Sequence, residues 1–146
     1  MAPGTGFLDD YLPYLLRRAD QTLSEAFYAV LTESGVARSE GRVLAVLEEL
    51  GPLSVLDLTD AALSPQPTVT HAVRRLEARG LVTRTAGATD RRQRIVAVTE
   101  EGAALTRRLI RAARRLETAA LADLGGGEDL VEPLRRLISS LEGVRA

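Results

Sequence analysis

The chain has no cysteine, no lysine and no asparagine, and its one histidine is His71. Without cysteine there is no disulfide, no thiolate nucleophile and no thiol-based redox sensing. A single histidine and no cysteine also leave no tetrahedral metal set. No apolar run approaches the roughly 20 residues that a membrane span needs. The opening MAPGTGFLDDYL has neither a positive leader nor an apolar signal core. These absences lead us to expect a cytoplasmic protein with no cofactor and no membrane partner. The sequence also shows no nucleophile–base pair and no phosphate-cradling glycine loop, so an enzyme is not expected. All 19 basic side chains are Arg, whose planar fork grips a phosphate or a guanine at two points.

What is present is unevenly spread. The net charge of the 146 residues is −1. Between residues 66 and 98, seven Arg (74, 75, 79, 84, 91, 92 and 94) face only Glu77 and Asp90, a local charge of +5. A pI below 6 argues against non-specific coating of nucleic acid. It leaves room for a focused site, because exposed charges more than about 10 Å apart are largely screened at 0.1 M salt. A basic block confined to one segment marks a polyanion-binding surface.

Length fits one domain, 1–146, or one protomer of an oligomer. Leu12, Leu16, Ala19, Leu23, Phe27 and Val30 recur at helical steps and predict one long helix over about 10–33. A second helix is expected over about 38–50, stopped by Gly51-Pro52, and a third over about 54–63. The turn Ser64-Pro65-Gln66-Pro67 introduces a fourth over about 67–79, ended by Gly80. LVTRT (81–85) and RIVAVT (94–99) alternate and are β-branched, predicting a two-stranded hairpin. Thr99 is the expected N-cap of a long helix reaching Leu124. The run Gly125-Gly126-Gly127 breaks the chain before a last helix over about 129–141. The expected class is mainly α with a small β-hairpin, a winged helix–turn–helix over 38–99 embedded in a helical region of 8–34 and 100–146. The last helix has five large aliphatics in twelve residues, more apolar surface than a small winged domain can cover alone. Pairing with a second copy is the simplest cover, so a homodimer is expected.

On the fourth helix Val69, Ala72, Val73 and Leu76 form one apolar stripe, and an advance of about 100° per residue places His71, Arg74 and Ala78 opposite. Thr70 and Arg75 flank that face, with Gln66 and Thr68 at its start. Such a face suits the major groove, where hydroxyls and Arg read base edges or hold phosphates; alone, it is also what a solvated surface helix shows. His71 faces outward and fits either a DNA contact or a passive surface position. At the hairpin tip Arg91, Arg92 and Arg94 cluster, an arrangement that can push guanidinium groups into a narrow minor groove. Asp90 is best placed to pair with a neighbouring Arg and hold the loop.

The string from Leu53 to Gly102 resembles the winged helix–turn–helix of the MarR family of bacterial regulators. The resemblance is carried by PTVTHAVRRLEARGLVTR, by Asp90-x-Arg92 and by VTEEGAAL opening the next helix. It implies an obligate dimer, a pseudo-palindromic double-stranded operator, the fourth helix in the major groove and the wing Arg in the minor groove. Carried over by position, Thr68, Thr70, His71 and Arg74 would face bases or backbone, and Asp90 and Arg92 would form the wing pair. The chain departs from the family at Leu63, where a glycine is common, and in the prolines at 65 and 67.

The resemblance further implies a repressor released by a small aromatic or lipophilic ligand. Tyr11, Tyr14 and Arg18, read as one face of the first helix, would suit an aromatic carboxylate; they would equally suit a dimer interface. The five Arg between 107 and 115 are read as partners for acids. A regulator that needs no ligand, and a dimeric protein–protein adaptor that has lost DNA binding, are the alternatives.

Overall fold

The computed structural model describes residues 6–145. The elements are α1 (Phe7–Asp10), α2 (Leu12–Glu33), α3 (Arg38–Leu50), β1 (Leu53–Ser54), α4 (Val55–Ala62), α5 (Gln66–Ala78), β2 (Val82–Ala86), β3 (Arg94–Val98), α6 (Glu100–Ala120) and α7 (Glu128–Arg145), with a 3-10 turn at Ala122–Leu124. The mainly helical class with a small antiparallel sheet is what the periodicity predicts.

Several features differ from expectation, among them the last helix, which runs on to Arg145 rather than ending near 141. The first helix is not continuous: Tyr11 has extended backbone (ψ 108°) between α1 and α2, just before the Leu12-Pro13 pair that disfavours a helical start upstream. The long helix after Thr99 ends at Ala120 rather than Leu124. There Gly125 and Gly126, both at positive φ, fold back so that the Gly126 N–H donates to the Leu121 carbonyl at 2.9 Å. The hairpin, finally, is part of a three-stranded sheet of order β1-β3-β2. In it Leu53 pairs with Val96 and Ser54 with Ile95, while Val82 through Ala86 pair with Val98 through Arg94.

Two compact units divide the chain: residues up to Glu25 together with those from Ala113 on, and residues 26–112. The second unit has a continuous core. Val43, Leu44 and Leu47 of α3 meet Leu58 and Ala62 of α4, the α5 stripe Val69, Ala72, Val73 and Leu76, and Leu81, Val82 and Val96 of the sheet. Leu31, Val36 and Leu109 make a smaller cluster with Phe27 and Tyr28 around it. In the first unit the apolar faces are bare: Leu12, Leu15, Leu16 and Leu23 on α2, and Leu130, Leu134, Ile138 and Leu141 on α7, are exposed.

Helix ends follow their sequence signals. The Ser54 hydroxyl accepts from the Asp57 N–H at 3.1 Å to cap α4. Thr99 caps α6 as expected, its hydroxyl accepting from the Gly102 N–H at 3.1 Å and donating to the Gly80 carbonyl at 2.8 Å. The end of α4 is the exception. Leu63 sits in the left-handed region (φ 53°, ψ 40°), the only non-glycine residue at positive φ among those described, and is 85% exposed. The left-handed conformation costs a side-chain-bearing residue about 1–2 kcal/mol, against about 0.5–1 kcal/mol for glycine's greater loss of freedom. With little buried surface to lose, Leu63→Gly is expected to stabilise the protein by about 0.5–1 kcal/mol. A rise of about 2 °C in melting temperature checks this, and a fall would show that Leu63 packs more than its exposure implies.

Candidate nucleic-acid interface

Helix α5 is built to show one face. Pro65 precedes it with φ −59° and ψ 144°, and its carbonyl accepts from the Val69 N–H at 3.1 Å. Pro67 falls in the first turn, where a missing N–H breaks no helical bond. The two prolines therefore start the helix rather than disturb it. With Val69, Ala72, Val73 and Leu76 buried, Gln66, Thr68, His71 and Arg74 are left exposed and Thr70 half-buried. Gln66, Pro67, Thr70, His71 and Arg74 line one open depression on this face.

The wing is held by its own backbone. The Gly87 N–H donates to the Gln93 carbonyl at 3.0 Å and the Gln93 N–H to the Asp90 carbonyl at 3.2 Å. Gly87 is buried, and a Cβ there would run into the Asp90 carbonyl oxygen, so only glycine fits this loop. Asp90 does hold the loop, but not through an Arg side chain: its carboxylate accepts from the backbone N–H of Arg92 at 3.0 Å. An aspartate bonding the backbone two residues on is a common turn device, and it leaves the Arg92 guanidinium unengaged. Arg94 has a supporting part, donating from Nη1 to the Arg91 carbonyl at 3.2 Å.

The seven Arg of the basic block are thus not equivalent. Arg75 Nε lies 3.1 Å from Glu40 Oε1 and Arg79 Nη1 lies 3.7 Å from Glu40 Oε2. Arg84 grips Glu77 with three contacts of 3.0–3.2 Å. The hydrogen bonds from Arg84, helped by its charge, hold the Glu77 carboxyl below the usual glutamate value; the Glu77 hydrogen bond in turn raises the Arg84 guanidinium. Among the described residues, no hydrogen bond or ion pair occupies the side chains of Arg74, Arg91 and Arg92. Arg75, expected on the DNA face, is turned toward α3 by Glu40. No feature of the sequence marked Glu40, an acid within the polar run Arg38-Ser39-Glu40-Gly41-Arg42.

Strand β1 joins the parts. By pairing with β3 it brings the start of α4 against the wing stem, where Ser54, Val55 and Leu56 meet Arg92, Gln93 and Arg94 around a second depression. In the other unit, Tyr14 and Arg18 do come together, the guanidinium carbon 5.9 Å from the ring centre. Tyr11 does not join them on one helical face: it lies in the break before α2 and stacks on Phe7 at 4.4 Å. Of the five Arg between 107 and 115, Arg107 reaches Glu48 at 3.9 Å and Arg114 reaches Glu117 at 3.8 Å.

A family model described as "MarR family" matches residues 34–93, the helix–turn–helix and the wing loop. The chain is also 34% identical over 131 residues to the HTH-type transcriptional repressor NicR of Pseudomonas putida, covering 88% of this chain and 83% of that protein. The chain belongs to the MarR family. Its solved relatives include a MarR family regulator from Silicibacter pomeroyi (TM-score 0.82, 33% identity, covering 93% of this chain and 98% of that one). Another is BpsR of Bordetella bronchiseptica (TM-score 0.78, 27% identity, 92% and 97%), solved to explain regulation of its DNA binding by 6-hydroxynicotinic acid. This MarR-family chain is accordingly a DNA-binding transcriptional regulator with a winged helix–turn–helix. None of the described helices is long and apolar enough to cross a membrane.

Proposed function

We propose that the chain acts as a homodimeric repressor that reads a pseudo-palindromic operator with α5 and the wing, and releases it on binding a small aromatic acid. The observation that carries the DNA reading is the set of free guanidinium groups. Arg74 stands on the α5 face beside Gln66, Thr70 and His71, while Arg91 and Arg92 stand at the wing tip. In this reading α5 enters the major groove, where Thr68, Thr70, His71 and Arg74 meet base edges or phosphates. Arg92 enters the adjacent minor groove. Arg94 and Asp90 shape the wing rather than touch DNA, and Arg75 is held back by Glu40.

The bare leucines of α2 and α7 support the dimer. Each large aliphatic taken out of water contributes about 1.5–3 kcal/mol, and a second copy presents the same surface. For the effector, Tyr14 with Arg18 offers an aromatic wall and a cation to a carboxylate, with Tyr11 nearby in sequence; the regulation of BpsR by 6-hydroxynicotinic acid makes that compound the first probe.

Selection of bound duplexes from a random pool, with and without 6-hydroxynicotinate, tests the proposal. Two half-sites about one helical turn apart are expected, with enrichment lost when the acid is present. A ligand that prefers the folded state stabilises it by about 2.7 kcal/mol at a hundred times its Kd. The acid is therefore expected to raise the melting temperature of the parent and to leave an Arg18→Ala variant unmoved. Enrichment that the acid does not alter, together with an unshifted melt, would point to a regulator without this ligand; absence of any enriched sequence would favour the adaptor.

A further inference from the structure

Among the described residues Glu40 is the only buried ionisable side chain, 1% exposed. It stands in the first turn of α3, where the positive end of the helix dipole favours a carboxylate. Neither oxygen reaches water, and neither has a well-aligned hydrogen bond. Yet Arg75 Nε approaches one oxygen to 3.1 Å and Arg79 Nη1 the other to 3.7 Å. The same Arg79 nitrogen donates to the Gly35 carbonyl at 2.6 Å. What holds the acid is therefore charge, supplied by two Arg one turn apart on the flank of α5 that meets α3.

Burying an acid is a poor way to gain stability, since an apolar side chain of similar size fills such a site with less desolvation. The distinctive effect of an acid here falls on Arg75, whose one partner among the described residues is Glu40, whereas Arg79 is also tied to the Gly35 carbonyl. Uncommitted, Arg75 would sit beside the α5 face as a flexible cation free to reach phosphates anywhere on a duplex.

We propose that Glu40 is a positioning residue that withholds Arg75 from DNA. Sequence-blind attraction to phosphate is thereby held down, and discrimination is left to the α5 face and the wing. The inference rests on the reading of α5 as the helix that enters the groove.

The test compares full-length parent and Glu40→Gln on the selected operator and on a random duplex of equal length, between 50 and 200 mM salt. Each guanidinium released to a phosphate steepens the log–log salt slope by about 0.9. Glu40→Gln is thus expected to lose about three- to fourfold more affinity per protomer across that range, to bind the random duplex more tightly at low salt and to narrow the operator-to-random ratio. The triple variant Glu40→Gln/Arg75→Gln/Arg79→Gln is expected to recover the parent slope, which a purely structural loss would not do. Arg75→Gln in the parent background gives a second readout should Glu40→Gln fold poorly: a withheld side chain leaves the slope unchanged. An unaltered slope in Glu40→Gln, or a shallower one in Arg75→Gln, overturns the proposal. Arg74→Ala separates the two readings, because full operator affinity in that variant removes α5 from the groove, whereas a loss there with unaltered Glu40→Gln slopes rejects only the role of Glu40.

Discussion

Arg92→Ala is expected to weaken operator binding by about thirtyfold or more while leaving the fold intact. Its guanidinium is exposed and, among the described residues, unpaired, and the loop beneath it is fixed by the Asp90 carboxylate on the Arg92 backbone N–H at 3.0 Å, a bond that alanine keeps. The substitution therefore removes the proposed reading group from a loop that stays in place. A well-placed Arg contact is worth about 1–3 kcal/mol, and the proposed dimer would carry two wings, which gives about 2–6 kcal/mol in all. Mobility shifts at fixed salt measure the loss, with thermal melts confirming unchanged stability. The salt slope separates two ways of failing: a contact to phosphate takes about 0.9 per wing with it, while a contact to base edges leaves the slope nearly as it was. Affinity retained within threefold would remove the wing from the minor groove.

The second large effect is on folding. Gly102 lies in the first turn of α6, and a Cβ there would overlap the Leu81 carbonyl oxygen and crowd Val98. That carbonyl cannot swing away, because it accepts from the Thr99 N–H at 3.0 Å. Alanine would gain about 1 kcal/mol of helix propensity, but forcing a carbon against fixed backbone belongs at or beyond the upper end of the 1–3 kcal/mol usual for overpacking. Gly102→Ala is expected to lose about 2–3 kcal/mol net, a fall of several degrees in melting temperature. Gly143→Ala supplies the opposite sign. A Cβ at Gly143, also helical, meets nothing within 4 Å, so only the propensity gain applies there. Equal melting temperatures for the two variants would contradict the close approach of α6 to Leu81.

Much of the molecule is legible in its sequence because its signals are local. The α5 stripe Val69, Ala72, Val73 and Leu76 is a period that burial respects residue by residue, and Thr99 caps α6 with the hydroxyl its position predicts. Three of the features that were missed or only half-read depend on partners distant in sequence or on the backbone. Strand β1 is two residues long, too short for alternation to register, and exists only because Val96 and Ile95 lie alongside it. Glu40 reads as one more polar residue at a helix start until α5 closes over it. Asp90 was rightly placed as the brace of the wing, but a list of side chains cannot show that its partner is an amide and not an arginine. The division of the seven Arg into committed and free groups follows from these same long-range contacts, so charge counting finds the surface and misses its selectivity.

The two-residue strand β1 has a consequence for the DNA itself. Because Leu53 and Ser54 splice the root of α4 onto the wing stem, the helix–turn–helix and the wing would act in the proposed complex as a single gauge with a fixed span. On the proposed reading of two half-sites, length errors inside one would then have no joint to absorb them, and tolerance for added or missing base pairs would lie between the half-sites.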